Sequence, residues 1–300
     1  MRWLGVVTLC AWLAGCAPPQ QVEHPSDPLL FDLVAMDRAE RVVVGIPGVM
    51  TSIQVLQPMR TLERPDRAIA YFRLPGFDGR PAEESIVIDR AAQRIADLVG
   101  SYDMEHIDII GHSTGAVIAL EAAKTIRTQH PDVTVTVTGV ATALPAPQPL
   151  LAGVRGAVGT VGAAVRSGSL NPRKVWLEYY RRLAFGSDVE TTAETAEAAD
   201  ALVAANDDRI TLPEDGLYRR HTRDLRRWTN PDPKRLTGTQ ITYYHGAVDP
   251  VFPPRPTQRF VDRLPGADIT FIDGHGHLLL QTYPQVWDRI ITALNTVSSD

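Results

Sequence analysis

The period of the hydrophobic positions changes along the chain, and the changes lay out its elements. Strand-length runs dominated by aliphatic residues stand at Arg41–Ile46 and at 68–73, 106–110 and 133–140. Ile107, Ile109 and Ile110 are β-branched, as a buried strand favours. Between these runs the spacing is helical. Ile88, Ala91, Ala92, Ile95 and Val99 share one face of a helix predicted over 84–99, with Gly100 at its end. Ala116, Ala119, Leu120, Ala123 and Ile126 recur in the same way. Strands alternating with helices predict an α/β fold, a mostly parallel central sheet with helices on both faces.

From 143 to 236 the alternation stops and the periodicity is mainly helical. Residues 150–169 are rich in Gly, Ala and Val; 172–185 are amphipathic, with Trp176, Tyr179, Tyr180 and Leu183; 190–205 are rich in alanine, with acids in the first turns; 215–228 are strongly basic. Strand and helix signals resume at 239–244, 256–264, 268–272 and 285–295. The chain therefore reads as a core of 41–142 and 237–300 with a helical cap insertion of 143–236. Such an insertion covers the carboxyl edge of the sheet, where open α/β folds bind ligands. Trp176, Tyr179 and Tyr180 line an apolar pocket there or form the cap's own small core.

Composition narrows the classes. The 300 residues are 44% hydrophobic and 22% charged, enough for one large α/β core or two small ones, and a net charge of −5 gives no basic footprint for nucleic acid. Both cysteines, Cys10 and Cys16, lie near the N-terminus, so the body has no disulfide, cysteine-zinc site or cysteine nucleophile. No His/Asp/Glu spacing reads as a metal site, and no cofactor is called for.

Met1 and Arg2 precede an apolar run, residues 3–13, too short to span a bilayer as a stable helix. Leu13-Ala14-Gly15-Cys16 closes it and resembles the lipobox of bacterial lipoproteins. That resemblance implies a signal peptide of residues 1–15, lipid on Cys16, and a body held outside the cytoplasm, on the outer membrane in a two-membrane cell. Residues 16–40 then supply the lipidated cysteine, a Pro-rich tether and a lead-in.

Candidate chemistry centres on Gly111-His112-Ser113-Thr114-Gly115, a G-x-S-x-G turn between a predicted strand and a predicted helix. A serine at so sharp a reversal needs neighbours without Cβ, and the reversal lifts its hydroxyl out of the sheet at the positive end of the next helix. A serine hydroxyl also needs a base, and the base an orienting acid. His245-Gly246-Ala247-Val248-Asp249 follows one predicted strand, and Gly274-His275-Gly276-His277 follows the last.

With these motifs the chain resembles the α/β-hydrolase superfamily from about residue 42 to 295. The resemblance implies Ser113 as nucleophile, Asp249 as orienting acid and His277 as general base. His275 and Asp273 are read as loop structure. The family often places His-Gly after the first core strand, ahead of an oxyanion-hole amide; here the pair is Pro47-Gly48. The implied donors are the amides of Val49 and Thr114, with Met50 an alternative to Val49. His106, His112, His130, His221 and His245 are expected to be structural or exposed, and Arg219, Arg220, Arg223, Arg226 and Arg227 to form a solvated face. The expected activity is cleavage of carboxylic esters, on small-molecule or lipid-like substrates. Thioesterase, amidase and acyltransferase chemistry, or a non-catalytic binding lipoprotein, are the alternatives.

Overall fold

A computed structural model describes residues 26–190, 192–207 and 216–296. The run at 3–13, Cys16 and the tether to residue 25 lie outside the described residues. The strands are β1 (Leu29–Phe31), β2 (Arg41–Ile46), β3 (Arg67–Phe72), β4 (His106–His112), β5 (Thr134–Val140), β6 (Gln240–Gly246) and β7 (Asp268–Ile272). They form one sheet in the order β1-β3-β2-β4-β5-β6-β7. Every pairing is parallel except β1 with β3, where Leu29 lies opposite Phe72. The helices are α1 (Leu33–Met36), α2 (Ile88–Ser101), α3 (Thr114–Gln129), α4 (Gln148–Ser167), α5 (Pro172–Phe185), α6 (Ala193–Ala205), α7 (Leu217–Thr222), α8 (Pro254–Val261), α9 (Leu279–Thr282) and α10 (Gln285–Thr296).

The continuous apolar runs of β2 and β4 are explained by burial on both faces. On one face Val42, Val44, Ile107 and Ile109 pack with Ile95 of α2, Ala119 of α3 and Phe260 of α8. On the other, Val43, Tyr71 and Ile110 meet Leu56 and Met59 of the 3-10 segment Ile53–Leu62, and Trp287 and Ile290 of α10. Arg41 at the foot of β2 is buried because its guanidinium donates to Asp108 of β4 at 2.5 Å.

Two elements depart from the sequence expectation, and a third adds to it. Within the lead-in, β1 adds an antiparallel edge strand, and Leu29, Phe31 and Met36 are buried in the core. Leu-Leu-Phe is too short to show a period, so only pairing with β3 defines it. The helix expected from 84 begins at Ile88, whose amide donates to the Asp224 carboxylate at 2.7 Å. That cap comes from 136 residues away. The basic stretch 215–228 forms only the short α7, followed by turns that bury Leu225 and Trp228.

Candidate active site

The functional loops are the connections that leave the carboxyl ends of the parallel strands. β4 runs into Ser113, which has φ 53° and ψ −116°, a conformation sterically costly for a residue with a Cβ. The turn survives because its flanks are bare. A Cβ on Gly111 would collide with the backbone of Gly115 and Ala116, and one on Gly115 with the Ile46 carbonyl. The Ser113 amide donates to the Val140 carbonyl at 2.9 Å, which ties the elbow to the end of β5.

β6 ends in the loop that carries Asp249, and β7 in the loop that carries His277. Ser113 Oγ lies 3.0 Å from His277 Nε2, and His277 Nδ1 lies 2.8 Å from Asp249 Oδ2. With the hydroxyl donating to Nε2 and Nδ1–H donating to the carboxylate, the ring has the tautomer a general base requires. The other carboxylate oxygen, Oδ1, accepts from the amides of Val251 at 2.7 Å and Phe252 at 3.0 Å. Burial by itself would raise the Asp249 carboxyl. The His277 ring opposite it and these hydrogen bonds outweigh burial and hold it below the usual carboxylate range. His275 turns away: its ring stacks on Tyr283 and Phe185, 5.2 and 6.1 Å between centroids. Asp273 is exposed at the loop tip.

Among the described residues, neither the Val49 nor the Thr114 amide donates a hydrogen bond. Gly48 holds the first of these close to the nucleophile, since a Cβ there would sit 2.9 Å from Ser113 Cβ and 2.7 Å from His112 Nδ1. The Met50 amide is already engaged: it donates to Nδ1 of His221 at 3.3 Å. Val49 and Thr114 thus keep amides without an acceptor, one beside Gly48 and the other at the first position of α3, directly after Ser113.

Two histidines that drew only structural readings from sequence prove close to this machinery. His245, fully buried at the end of β6, donates through Nε2 to the Phe252 carbonyl at 2.8 Å, and the same nitrogen is 3.3 Å from Asp249 Oδ2. Burial lowers its pKa, and the facing Asp249 carboxylate opposes that shift without overcoming it. Its place four residues before Asp249 was a visible signal. His221 of α7 bridges two loops, with Nε2 donating to the Pro75 carbonyl at 2.8 Å and Nδ1 accepting from Met50. No sequence signal places it there, because 171 residues separate it from Met50. His112 is buried beside the base, its Nε2 3.3 Å from the His277 carbonyl, and burial together with the facing His277 ring lowers its pKa to about 4.

The insertion is bonded into the site. The Gly276 amide donates to the Ala184 carbonyl and the His277 amide to the Leu183 carbonyl, both at 2.7 Å. The last turn of α5 therefore holds the base's loop. Tyr179 and Trp176 stack on each other at 5.7 Å, and Tyr180 donates to Gln281 at 2.9 Å. Tyr179 also lies against Gly159 of α4. These aromatics are half-buried and form the seams of α5 with α4 and α9, while the insertion's own small core is Ala184, Phe185, Val189 and Ala199. Among the described residues no group of His, Cys, Asp and Glu could hold a metal ion.

A seven-stranded, mostly parallel sheet with a serine elbow after β4 defines the α/β-hydrolase fold. The chain belongs to the alpha/beta hydrolase family, whose model matches residues 43–289. Solved structures agree on the fold. A carboxylesterase from the thaumarchaeon Nitrososphaera gargenis superposes with a TM-score of 0.63 at 16% identity, over 93% of this chain and 99% of that one. A putative non-heme bromoperoxidase from Mycobacterium tuberculosis H37Rv gives 0.62 at 18% identity, over 85% and 91%. A thermophilic esterase from Thermogutta terrifontis gives 0.60 at 17%, over 86% and 91%. No curated protein matches the sequence.

Proposed function

We propose that this chain is a serine esterase that works through an acyl-enzyme. The observation that carries the reading is the unbroken hydrogen-bonded chain from Ser113 Oγ through His277 to Asp249, at 3.0 and 2.8 Å. Ser113 Oγ attacks the ester carbonyl carbon while His277 Nε2 takes its proton. The oxyanion accepts from the amides of Val49 and Thr114. Collapse breaks the C–O bond, His277 returns the proton to the leaving alcohol, and water repeats the sequence to free the acid. The same groups serve a thioester or amide, and acyl transfer follows if an alcohol replaces the water. Two of the structures with this fold are described as esterases. The putative bromoperoxidase shares the fold as well, so the assay must read hydrolysis directly.

A fluorophosphonate probe should label the wild type and leave Ser113→Ala unlabelled, and p-nitrophenyl esters of graded chain length should report the acyl preference. A labelled but catalytically silent protein would overturn the esterase reading in favour of another acyl chemistry. An unlabelled wild type would overturn nucleophilic catalysis by Ser113 altogether.

The proposed setting is extracytoplasmic, with lipid on Cys16 holding the enzyme to a bacterial membrane. The support is Leu13-Ala14-Gly15-Cys16 behind a short apolar run. Two acyl chains give stable anchoring where one is marginal, and the diacylglyceryl group of such lipoproteins supplies two. Metabolic labelling with a tagged fatty acid should mark wild type and not Cys16→Ser. An unlabelled, soluble wild type would make it a secreted hydrolase instead.

A further inference from the structure

We infer that the outer face of α4 is a docking surface for a phospholipid bilayer. An ordinary surface helix turns its large apolar residues inward. This one does the reverse. Its inner face is built of small residues: a Cβ on Gly159 would fall 2.6 Å from the Tyr179 ring of α5, and Ala163 is buried. The large residues face out. Val154, Val158, Val161 and Val165 follow one another at i, i+4, i+7 and i+11, so they form one stripe. They are 62, 67, 66 and 77% exposed. Leu150 at 54% and Leu170 at 91% extend the stripe at its two ends.

Residues 148–170 contain no Asp or Glu. The result is an apolar ridge about 30 Å long, at the 1.5 Å rise per residue of a helix. Contiguous apolar surface of this kind marks a place of contact. The helix does not qualify as a membrane span, and no described helix is long and apolar enough to cross a membrane. An exposed apolar stripe on a helix that does not span suits one lying in the interface plane.

The route of the chain says what covers the ridge. β1 is antiparallel, so its first residue, Leu29, pairs with Phe72 at the carboxyl end of β3. The segment that begins at Cys16 therefore joins the body on the same edge of the sheet from which the cap and α4 rise. α4 follows β5, which stands four strand positions from β1, about 19 Å along the sheet. Ser26 lies ten residue steps after Cys16, a reach of up to about 35 Å when extended. A lipid on Cys16 and the ridge of α4 can thus meet one bilayer, with the carboxyl edge and Ser113 turned towards it. This extends the anchored-hydrolase reading by naming the face that meets the lipid, and it predicts contact even without the anchor.

The test removes the anchor and asks whether the body still binds. Every described element and the family match begin after residue 25, so the chain from residue 16 with Cys16→Ser holds the complete described fold. Flotation with vesicles of phosphatidylethanolamine and phosphatidylglycerol should carry this protein upward. Val158→Asp/Val161→Asp should weaken its partition at least tenfold, and the milder Val158→Ser/Val161→Ser should weaken it less. Both should keep nearly the wild-type melting temperature and the wild-type rate on a soluble acetate ester, because these side chains are about two-thirds exposed and lie outside the site. Failure of the parent protein to float overturns the inference, as does undiminished binding by a folded Asp variant. Concentration-dependent dimerisation that the Asp variant abolishes overturns it in favour of a second copy on the ridge. Fatty-acid labelling of Cys16 is read separately, so loss of the anchor reading and loss of the docking reading remain distinguishable.

Discussion

At the scale of single residues the site is a set of buried groups whose charges depend on one another. Ser113→Ala, Asp249→Asn and His277→Ala should each lower kcat/KM on a p-nitrophenyl ester by about four decades while the melting temperature moves little. Activity surviving in His277→Ala but not in His275→Ala would move the base to the other histidine of the loop. His112 adds a pH dependence. Its pKa is about 4 in the folded chain against the ordinary 6.5. Between those values the unfolded chain binds more protons, so stability falls as the pH drops through that window, by up to roughly 3 kcal/mol for the full shift. Asp249 acts in the same direction at lower pH: its depressed pKa gives stability that is present above the unfolded carboxylate value and is lost as the pH falls through the folded one. Melting temperatures from pH 7 to 4 should decline in the wild type, and less steeply in His112→Asn.

At the scale of elements, the insertion acts through two of its helices. α7 presents His221, which holds the Met50 amide and so ties down the loop that carries Val49, the oxyanion donor proposed above. His221→Leu keeps the bulk and removes the acceptor. It should reduce kcat on a small ester roughly tenfold with KM nearly unchanged, because a misplaced oxyanion donor weakens transition-state contacts more than ground-state ones. A changed KM with unchanged kcat would mean that α7 shapes the substrate pocket rather than the oxyanion loop. α5 acts on the base instead, through the Leu183 and Ala184 carbonyls. Among the sequence expectations, α5 and β7 have the bounds that the helical and strand periods give, 172–185 and 268–272. The basic stretch 215–228 does not, because tertiary packing of Leu225 and Trp228 beside α3 overrides its helical signal.

At the scale of the whole molecule, the insertion is hydrogen-bonded to two loops of the candidate site. Sequence alone presents 143–236 as a separable block whose removal would change chain-length preference more than chemistry. The bonds from α5 to the His277 loop and from α7 to Met50 predict otherwise. Replacing the block with a short linker should abolish hydrolysis even of p-nitrophenyl acetate, while Trp176→Ala within the intact block leaves that acetate turned over. Full acetate activity in the excised protein, with its fold intact by circular dichroism, would restore the picture of a detachable lid.

The alternation of strand and helix periods, the bare glycines around Ser113 and the order of the serine, acid and histidine loops are local features, each written in a few consecutive residues. They determine the α/β class and, through the family resemblance they carry, single out Ser113, Asp249 and His277. Tertiary structure alone decided the rest, because each remaining feature joins residues far apart in the chain. Leu29–Phe31 is a strand only beside β3, and Ile88 starts a helix only under Asp224. The Met50 amide is engaged only because His221 comes to it from the insertion, and α4 shows its valines to the outside while Tyr179 occupies its glycine face. A period reports that one face of a helix is apolar; which face is covered depends on what the fold brings against it.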